Sequence, residues 1–236
     1  MILVLDCGNS RLKWGLHDGS AWSKTGAVPL TGFSGLKKTW ERLAPERIVV
    51  ANVAGATVRK RLERLLPAGS NPLWVTSKRS ECGVTNRYGK PGQLGADRWA
   101  ALIAARSMFS GACLVVVAGT ATTVDSLGSD GVFEGGMILP GFELMKRSLA
   151  QSTAGLPLAK GRLSEAPRNT ADSIESGCLL AQAGLIERAL DAMEPGATCV
   201  LAGGSAALIS SALRVPVHLV DNLVLEGLVR IARASE

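Results

Sequence analysis

The sequence predicts an α/β protein whose two lobes are related by an internal duplication. An apolar strand pattern that ends in a glycine loop and returns as a hairpin occurs twice, around residues 6–10 and around residues 118–123. The two loop glycines, Gly8 and Gly119, are 111 residues apart, close to half of the 236-residue chain. Apolar residues make up 47% of the sequence and charged residues 19%, so both halves contain enough apolar material for a packed core.

The first half predicts the order strand, strand, strand, helix, strand, helix, strand. Leu36, Trp40 and Leu43 fall on one face of a predicted helix, and uninterrupted apolar runs indicate buried strands. Predicted strands cover 2–5, 12–16, 21–28, 48–53 and 73–76, and predicted helices cover 31–43 and 57–66. Residues 83–95 are rich in glycine and proline and are expected to form a loop before a helix over 97–107, whose alanines allow close packing.

The second half repeats the hairpin theme and closes with helices. Thr170 is the expected N-cap of a long helix reaching about residue 193, since Ile174, Cys178 and Leu185 recur at helical spacing. The other predicted elements are strands 114–117, 124–127, 133–138, 199–202 and 217–220, and helices 142–149, 206–212 and 223–234, with 152–168 irregular. A boundary near the helix over 97–107 divides the chain into an N-terminal lobe of residues 1–106 and a C-terminal lobe of residues 107–236.

Composition excludes several classes of protein. No apolar stretch approaches the roughly 20 residues that span a bilayer, and Asp6 falls inside any apolar signal core. We therefore expect a cytoplasmic protein without a membrane partner. The five cysteines are scattered without a C-x-x-C pair, and only two histidines are present. These counts argue against a disulfide framework and against a structural zinc site.

The net charge of +6 and the pI near 9.3 permit binding to anions, including nucleic acid. The basic residues are densest at residues 59–64, where Val58, Leu62 and Leu65 recur at helical spacing. This pattern is typical of an amphipathic helix with a solvated basic face. No aromatic residues interleave with the basic ones, which further disfavours nucleic acid as a partner.

The two glycine loops are candidate phosphate sites. A strand that stops at a glycine and reverses leaves several backbone N–H groups pointing at one spot, and Asp6 is placed to hold Mg²⁺. The alternative is that both are ordinary glycine hairpins of a duplicated fold. Cys7 is either a thiol whose pKa the converging N–H groups lower or, as we favour, a small residue that fits a tight loop.

Two further segments carry polar or glycine signals. Asp97 could accept a proton from a hydroxyl nucleophile, and Arg98 could bind a substrate carboxylate through paired hydrogen bonds. The alternative for this pair is helix capping together with a surface ion pair. Gly203 and Gly204 follow a strand and could lie against an adenine ring. Neither G-x-x-x-x-G-K-[ST] nor G-x-G-x-x-G after the first strand is present, so a two-lobed phosphotransferase is the class that remains.

In these segments the sequence resembles the type III pantothenate kinases, a family of the acetate kinase, sugar kinase, Hsp70 and actin superfamily. The resemblance covers essentially the whole chain and implies two ribonuclease H-like (actin-like) lobes with an ATP cleft between them. Its motifs are Asp6-x-Gly8-Asn9-Ser10 with Lys13 and Gly15; Tyr88 with Pro91 and Leu94-Gly95-Ala96-Asp97-Arg98-Trp99; Gly119-Thr120-Ala121-Thr122-Thr123-x-Asp125; Gly135-Gly136-x-Ile138-x-Pro140-Gly141; and Thr170 with Ile174-x-x-Gly177.

The resemblance also implies roles for individual residues. Asp97 would be the base that takes the proton from the pantothenate hydroxyl. The pantothenate pocket would consist of Tyr88, Gly95, Ala96, Asp97, Arg98 and Thr170. The ATP contacts would be Asp6, Cys7, Gly8, Asn9, Ser10, Arg11, Leu12, Lys13 and Thr120, with Asp6 close to Mg²⁺. Members of the family are homodimers with the pocket near the interface, so Thr170 would act across it.

The chain departs from the family pattern at Val117. The family usually has an aspartate three residues before the threonine matched by Thr120, and that aspartate binds an activating K⁺ or NH₄⁺ ion. A branched apolar side chain supplies no hard oxygen ligand. We therefore predict a weakened monovalent-cation site.

The resulting prediction is an ATP-dependent kinase that phosphorylates pantothenate in the first step of coenzyme A biosynthesis. One alternative is a kinase-like scaffold that acts as a transcriptional accessory regulator, which the basic helix around residues 59–64 makes conceivable. Another is a kinase of the same superfamily that acts on a different hydroxy acid.

Overall fold

The computed structural model describes residues 1–235, which form two compact units. The first unit contains Met1–Met108 together with the C-terminal segment from Asn222 onward, and the second contains Phe109–Asp221. No helix formed by residues 1–235 combines the length and the apolar character that crossing a membrane requires.

The first unit is built on a five-stranded sheet with the order β3-β2-β1-β4-β5. Strand β1 is antiparallel to β2 and parallel to β4, so Asp6 lies opposite Lys13 on one side and Ala51 on the other. The strands of this sheet are β1 (Ile2–Cys7), β2 (Arg11–His17), β3 (Trp22–Pro29), β4 (Arg47–Asn52) and β5 (Leu73–Trp74). The first unit also contains the short antiparallel pair β6 (Ser80–Glu81) and β7 (Val84–Asn86), which is not part of this sheet. The helices of the first unit are α1 (Leu36–Leu43), α2 (Ala56–Glu63), α3 (Ala96–Met108) and α7 (Leu223–Ala234).

The second unit repeats this sheet. Its five strands follow one another as β10-β9-β8-β11-β12, and they are β8 (Cys113–Ala118), β9 (Ala121–Leu127), β10 (Val132–Pro140), β11 (Thr198–Ala202) and β12 (Val217–Leu219). Three antiparallel strands are continued by two parallel ones, as in the first unit. The helices are α4 (Phe142–Ser152), α5 (Thr170–Asp191) and α6 (Ala206–Ser210). The matching order and strand directions confirm the predicted duplication.

Each unit has its own apolar core. In the first, Leu3, Leu5, Leu12 and Trp40 are among the fully buried side chains. In the second, β8 and α5 supply much of the core, including Leu114, Val116 and Ile186. Most residues of β1, β2, β8 and β9 are buried, so these strands lie at the centre of the two cores.

Helix α7 packs closely on α3 within the first unit. A Cβ at Gly227 would collide with the backbone of Ala100, and Ala100, Ala101, Ala104 and Ala105 are buried. The alanines predicted to permit close packing thus face a helix from the far end of the chain. Because α7 packs on α3 and β1, the compact units divide the chain differently from the expected lobes of residues 1–106 and 107–236.

Several local boundaries differ from prediction, among them the predicted helices over 57–66 and 206–212 and the predicted strand over 73–76, which are shorter in the structure. The helix expected over 31–43 begins as a 3₁₀ turn at Phe33–Gly35 and becomes α-helical only at Leu36. The segment expected as a loop over 83–95 contains strand β7. The N-cap of α5 is Asn169, whose side chain accepts a hydrogen bond from the Asp172 N–H, so the prediction that Thr170 caps this helix was wrong.

Candidate active site

The first glycine loop connects β1 to β2 and directs its residues to opposite environments. The Gly8 N–H donates to the Arg11 carbonyl at 3.1 Å, which closes the turn, and Asn9 and Ser10 are exposed. Cys7 and Leu12 are completely buried in the core. Asn9 and Ser10 therefore lie at the surface of the loop, whereas the side chains of Cys7 and Leu12 are enclosed in the core.

Cys7 is a core residue and not an activated thiol. Burial is the main cause that raises its pKa far above the ordinary value, and the negative charge of Asp6 raises it further. The burial agrees with the favoured interpretation of Cys7 as a small residue that fits the tight loop, because a desolvated thiol beside a carboxyl group resists ionisation.

The surroundings of the Asp6 carboxyl group raise its pKa. Burial raises its pKa to about 7, the negative charge of Asp97 adds to this shift, and the positive charge of Lys13 opposes it. Asp6 and Lys13 are direct neighbours in the register of β1 and β2. A partly buried carboxylate with an ammonium group beside it and excess negative charge nearby is a suitable ligand for a hard cation such as Mg²⁺.

The segment before α3 places Asp97 at the start of the helix. Its Oδ1 accepts the N–H of Arg98 at 2.8 Å, and burial raises its pKa while this backbone hydrogen bond opposes the shift. A Cβ at Gly95 would lie 2.6 Å from Asp97 Oδ1, so glycine leaves room for the carboxylate to fold back over the helix end. A desolvated carboxylate with a raised pKa is the state that general-base chemistry uses.

Arg98 does not lie at the surface. Its side chain is only 6% exposed, and its Nη1 donates to the Tyr88 hydroxyl at 3.1 Å. The alternative of helix capping with a surface ion pair therefore holds only for the backbone contact of Asp97. The structure brings together four of the predicted pocket residues, Tyr88, Gly95, Asp97 and Arg98, with Ala96 between them in the first turn of α3.

The second glycine loop lies in the second unit and depends on close backbone approach. The Gly119 N–H donates to the Ala121 carbonyl at 3.0 Å, and the Gly141 N–H donates to the Thr120 carbonyl at 2.9 Å. A Cβ at Gly141 would collide with the Gly119 carbonyl and approach that of Thr120 to 2.8 Å. Gly141 belongs to one of the family motifs, but its role was not predicted from the sequence. Because it has no side chain, the start of α4 packs directly against the Gly119–Thr120 backbone.

Gly203 also has a structural reason to be glycine. Its φ is +105°, and a Cβ there would collide with the backbone of Ala118. The N–H of Ser205 donates to the Ala118 carbonyl at 3.2 Å, which fixes the loop after β11 against the end of β8. Gly204, in contrast, has open space around its Cβ position and is exposed.

Val117 is the penultimate residue of β8 and pairs in register with Thr123 and Ala202. The hydroxyl oxygens of Thr122 and Thr123 are buried without a hydrogen-bond partner among residues 1–235. Thr123, the register partner of Val117, therefore supplies a neutral oxygen on the neighbouring strand, but position 117 supplies no charged ligand. The residues present do not match a cation site that depends on a carboxylate there.

Thr170 is exposed at the first position of α5. It lies at the edge of an apolar groove between α4 and α5 in the second unit. Met145, Leu149, Leu156, Thr170, Ser173, Ile174, Gly177 and Cys178 line this groove.

Two arginines of the basic helix α2 bind other groups of the protein. Arg59 pairs with Glu63 at 3.0 Å and lies 4.4 Å from the ring centroid of Trp74. Arg61 donates to the Leu30 carbonyl at 2.9 Å and also covers the Phe33 ring. These contacts use guanidinium groups that a nucleic-acid surface would need to present to phosphates, so they weigh against that function.

The repeated sheet and its glycine loops define a duplicated α/β protein with the actin-like fold. Solved structures agree in fold: a Campylobacter jejuni protein provisionally named as a Baf family transcriptional activator superposes with a TM-score of 0.67 at 20% identity, covering 99% of this chain and 98% of that one. Component A of (R)-2-hydroxyglutaryl-CoA dehydratase from Acidaminococcus fermentans superposes with a TM-score of 0.57 at 12% identity, covering 100% and 99%. Identities this low establish the fold alone.

The chain belongs to the type III pantothenate kinase family. The family model matches residues 2–192. A type III pantothenate kinase of Aromatoleum aromaticum is 50% identical over 99% of this chain and 98% of its own length. Another, from Dechloromonas aromatica, is 47% identical over the full length of both chains.

Proposed function

We propose that this protein is an ATP-dependent pantothenate kinase that converts pantothenate to 4'-phosphopantothenate, the first step of coenzyme A biosynthesis. Membership of the family over essentially the whole chain supports the substrate and the reaction. The observation that carries the proposal is Asp97: a partly buried carboxyl group whose pKa is raised by desolvation, adjacent in sequence to Arg98 and its hydrogen bond to Tyr88. Pantothenate offers a primary hydroxyl to the first group and a carboxylate to the second.

In this reaction Asp97 accepts the proton of the pantothenate hydroxyl as its oxygen attacks the γ-phosphorus of ATP, and ADP leaves in line with the new bond. The substrate carboxylate is bound by Arg98, with Tyr88 and Thr170 completing the pocket and Gly95 and Ala96 contacting the substrate through their backbone. Positioning and charge stabilisation supply most of the catalysis in phosphoryl transfer.

ATP contacts are assigned to residues 6–13 and to Thr120. The loop N–H groups and Lys13 suit the phosphates, and Asp6 would hold Mg²⁺, which neutralises charge on the transferring phosphoryl group. Because Cys7 and Leu12 are buried in the core, their contribution is through the backbone.

Val117 weakens the dedicated site for K⁺ or NH₄⁺, so either neighbouring oxygens suffice to bind the ion or the ion requirement of the kinase is altered. The hydroxyl oxygens of Thr122 and Thr123 are neutral, and a neutral oxygen binds a monovalent cation less strongly than a carboxylate does. We further propose a cytoplasmic homodimer in which Thr170 completes the pocket of the partner subunit, since Thr170 is exposed on the edge of an apolar groove.

A coupled ATP-consumption assay with pantothenate and Mg²⁺ tests this function. Pantothenate-dependent turnover is the expected result. Parallel assays with pantothenate analogues and other hydroxy acids identify the preferred substrate, and a higher kcat/KM for another hydroxy acid would replace pantothenate in the proposal. Absence of turnover together with salt-dependent binding to duplex DNA would favour the regulator instead.

A further inference from the structure

A buried polar network lies beneath the segment that connects β7 to α3 in the first unit. This segment, residues 87–95, carries Tyr88 and leads directly into Asp97. Two polar side chains outside the candidate active site form hydrogen bonds with this segment. Both are buried: Asn86 is 0% exposed and Ser77 is 7% exposed. A buried polar group is costly unless it is hydrogen-bonded, so the contacts of these two residues define what they hold in place.

Asn86 uses both ends of its side-chain amide on the segment. Its Oδ1 accepts the N–H of Tyr88 at 3.0 Å, and its Nδ2 donates to the Pro91 carbonyl at 3.3 Å. One partner is a donor and the other an acceptor, so the orientation of the amide is fixed by its neighbours. The Asn86 backbone is held as well, because its N–H donates to the Arg79 carbonyl and its carbonyl accepts Arg79 Nη1 at 2.7 Å.

Ser77 holds the other end of the segment. Its Oγ lies 2.7 Å from the Pro91 carbonyl and 2.7 Å from the Leu94 carbonyl. Leu94 precedes Gly95, whose carbonyl accepts the Trp99 N–H in the first turn of α3 at 2.9 Å. Asn86 therefore fixes the backbone at Tyr88, and Ser77 fixes it just before Asp97.

We propose that Asn86 is a positioning residue for phosphoryl acceptor binding, with Ser77 as its partner at the far end of the segment. Asn86 holds the backbone of Tyr88 and thereby its position. The Tyr88 hydroxyl accepts a hydrogen bond from Arg98 Nη1 at 3.1 Å, so the position of Tyr88 in turn orients the Arg98 guanidinium group. Neither Asn86 nor Ser77 touches Asp97 or Arg98 through the hydrogen bonds described. This inference rests on the proposed function, because it assigns the acceptor side of that same site.

The decisive variant is Asn86→Asp. It retains an oxygen that can accept the Tyr88 N–H, but it replaces the donor toward the Pro91 carbonyl by a second oxygen. Losing a buried hydrogen bond of this kind should lower kcat/KM for pantothenate at least about tenfold. The KM for ATP should stay within about twofold of the wild type, because residues 6–13 belong to a different segment.

Tyr88 provides a readout that needs no turnover, since it is the only tyrosine in the chain. Protein labelled with 3-fluorotyrosine should give one ¹⁹F resonance, and Asn86→Asp should shift or broaden it. The matched control is Asn71→Asp, which makes the same chemical change at an exposed residue in the loop before β5 and should leave both kinetics and spectrum unchanged. If Asn86→Asp does not fold, Asn86→Ala removes the same donor without adding a buried charge and is assayed by the same kinetics and ¹⁹F spectrum.

The results separate the inference from the proposed function. A wild-type protein without pantothenate turnover would defeat the proposed function, while the ¹⁹F spectrum would still show whether Asn86 positions Tyr88. Two results would overturn the positioning role. One is an unchanged ¹⁹F resonance in a folded Asn86→Asp variant. The other is a rise in the KM for ATP as large as the loss of kcat/KM for pantothenate. A changed resonance with a loss confined to pantothenate is the expected outcome.

Discussion

The negative charge of Asp97 raises the pKa of Asp6, although the two residues are 91 positions apart in the sequence. Asp6 is the penultimate residue of strand β1 and Asp97 lies in the first turn of helix α3, and both belong to the first unit. The two carboxyl groups carry different assignments in the proposed reaction, one toward the metal and nucleotide and the other toward the acceptor hydroxyl. Because the two groups are coupled, ionisation of one carboxyl group raises the pKa of the other.

Asp6 should make the metal-free protein less stable as the pH rises. Its folded pKa of about 7 is above the ordinary value of 3.8, so between these values the folded state binds more protons than the unfolded state. The free energy of unfolding therefore falls as the pH rises through this interval. Denaturant unfolding at about pH 5 and about pH 8 should show a larger loss for the wild type than for Asp6→Asn. Equal losses in the two proteins would contradict this prediction.

Replacing the proposed base should abolish turnover without unfolding the protein. Asp97→Asn keeps the shape of the side chain and removes a buried charge, so thermal unfolding should be unchanged or shifted upward. The turnover number should fall by roughly 10²–10⁴. The control is Asp191→Asn, the same exchange at the exposed end of α5, with wild-type turnover expected. Retained activity in Asp97→Asn would remove Asp97 as the base.

The ion response should follow the residue at position 117. Wild-type turnover measured in sodium should increase by less than about twofold when potassium or ammonium is added, because Val117 contributes no ligand. The variant Val117→Asp should become more responsive to these ions, whereas Val117→Asn should not gain the charge-dependent part of the response. A strong potassium requirement in the wild type would show that neutral oxygens are sufficient.

A mixture of two impaired variants tests whether Thr170 acts across a dimer interface. Asp97→Asn and Thr170→Ala should each be impaired as homodimers. In a mixed dimer one site contains Asp97 of one subunit and Thr170 of the other, both intact, so random mixing should restore about a quarter of wild-type activity. Co-expression with two affinity tags isolates the mixed dimer. No recovery would place Thr170 in the same subunit's pocket, and a monomer in sedimentation analysis would exclude the dimer.

The glycines after β11 should respond differently to a methyl group. Gly203→Ala introduces a side chain at a φ of +105° and against the Ala118 backbone, so it should destabilise the protein by more than about 2 kcal/mol. Gly204→Ala meets open space and should leave the thermal unfolding midpoint nearly unchanged. If Gly204 lies against adenine as predicted, its variant should instead raise the KM for ATP. Similar unfolding midpoints for both variants would contradict the packing explanation.

Much of the fold followed from local pattern. Alternating and continuous apolar runs located most strands, and the recurrence of a glycine loop predicted the duplicated sheet, because a strand that turns at glycine leaves a clear signal in a few adjacent residues. The strongest site signals, Asp6 and Asp97-Arg98, were also local. The N-cap of α5 was misplaced by one residue because Asn169 and Thr170 are both good caps, and only the observed hydrogen bond to the Asp172 N–H distinguishes them.

The sequence by itself determined the family motifs, the repeated strand order and the absence of a carboxylate at position 117, since these depend on residue identity and spacing. Tertiary structure decided which side chains are buried and which charges meet. It buried Cys7, it placed Arg98 on the Tyr88 hydroxyl, and it packed α7 against α3 from the opposite end of the chain. Desolvation and through-space charge depend on three-dimensional neighbours, and no local pattern encodes those neighbours.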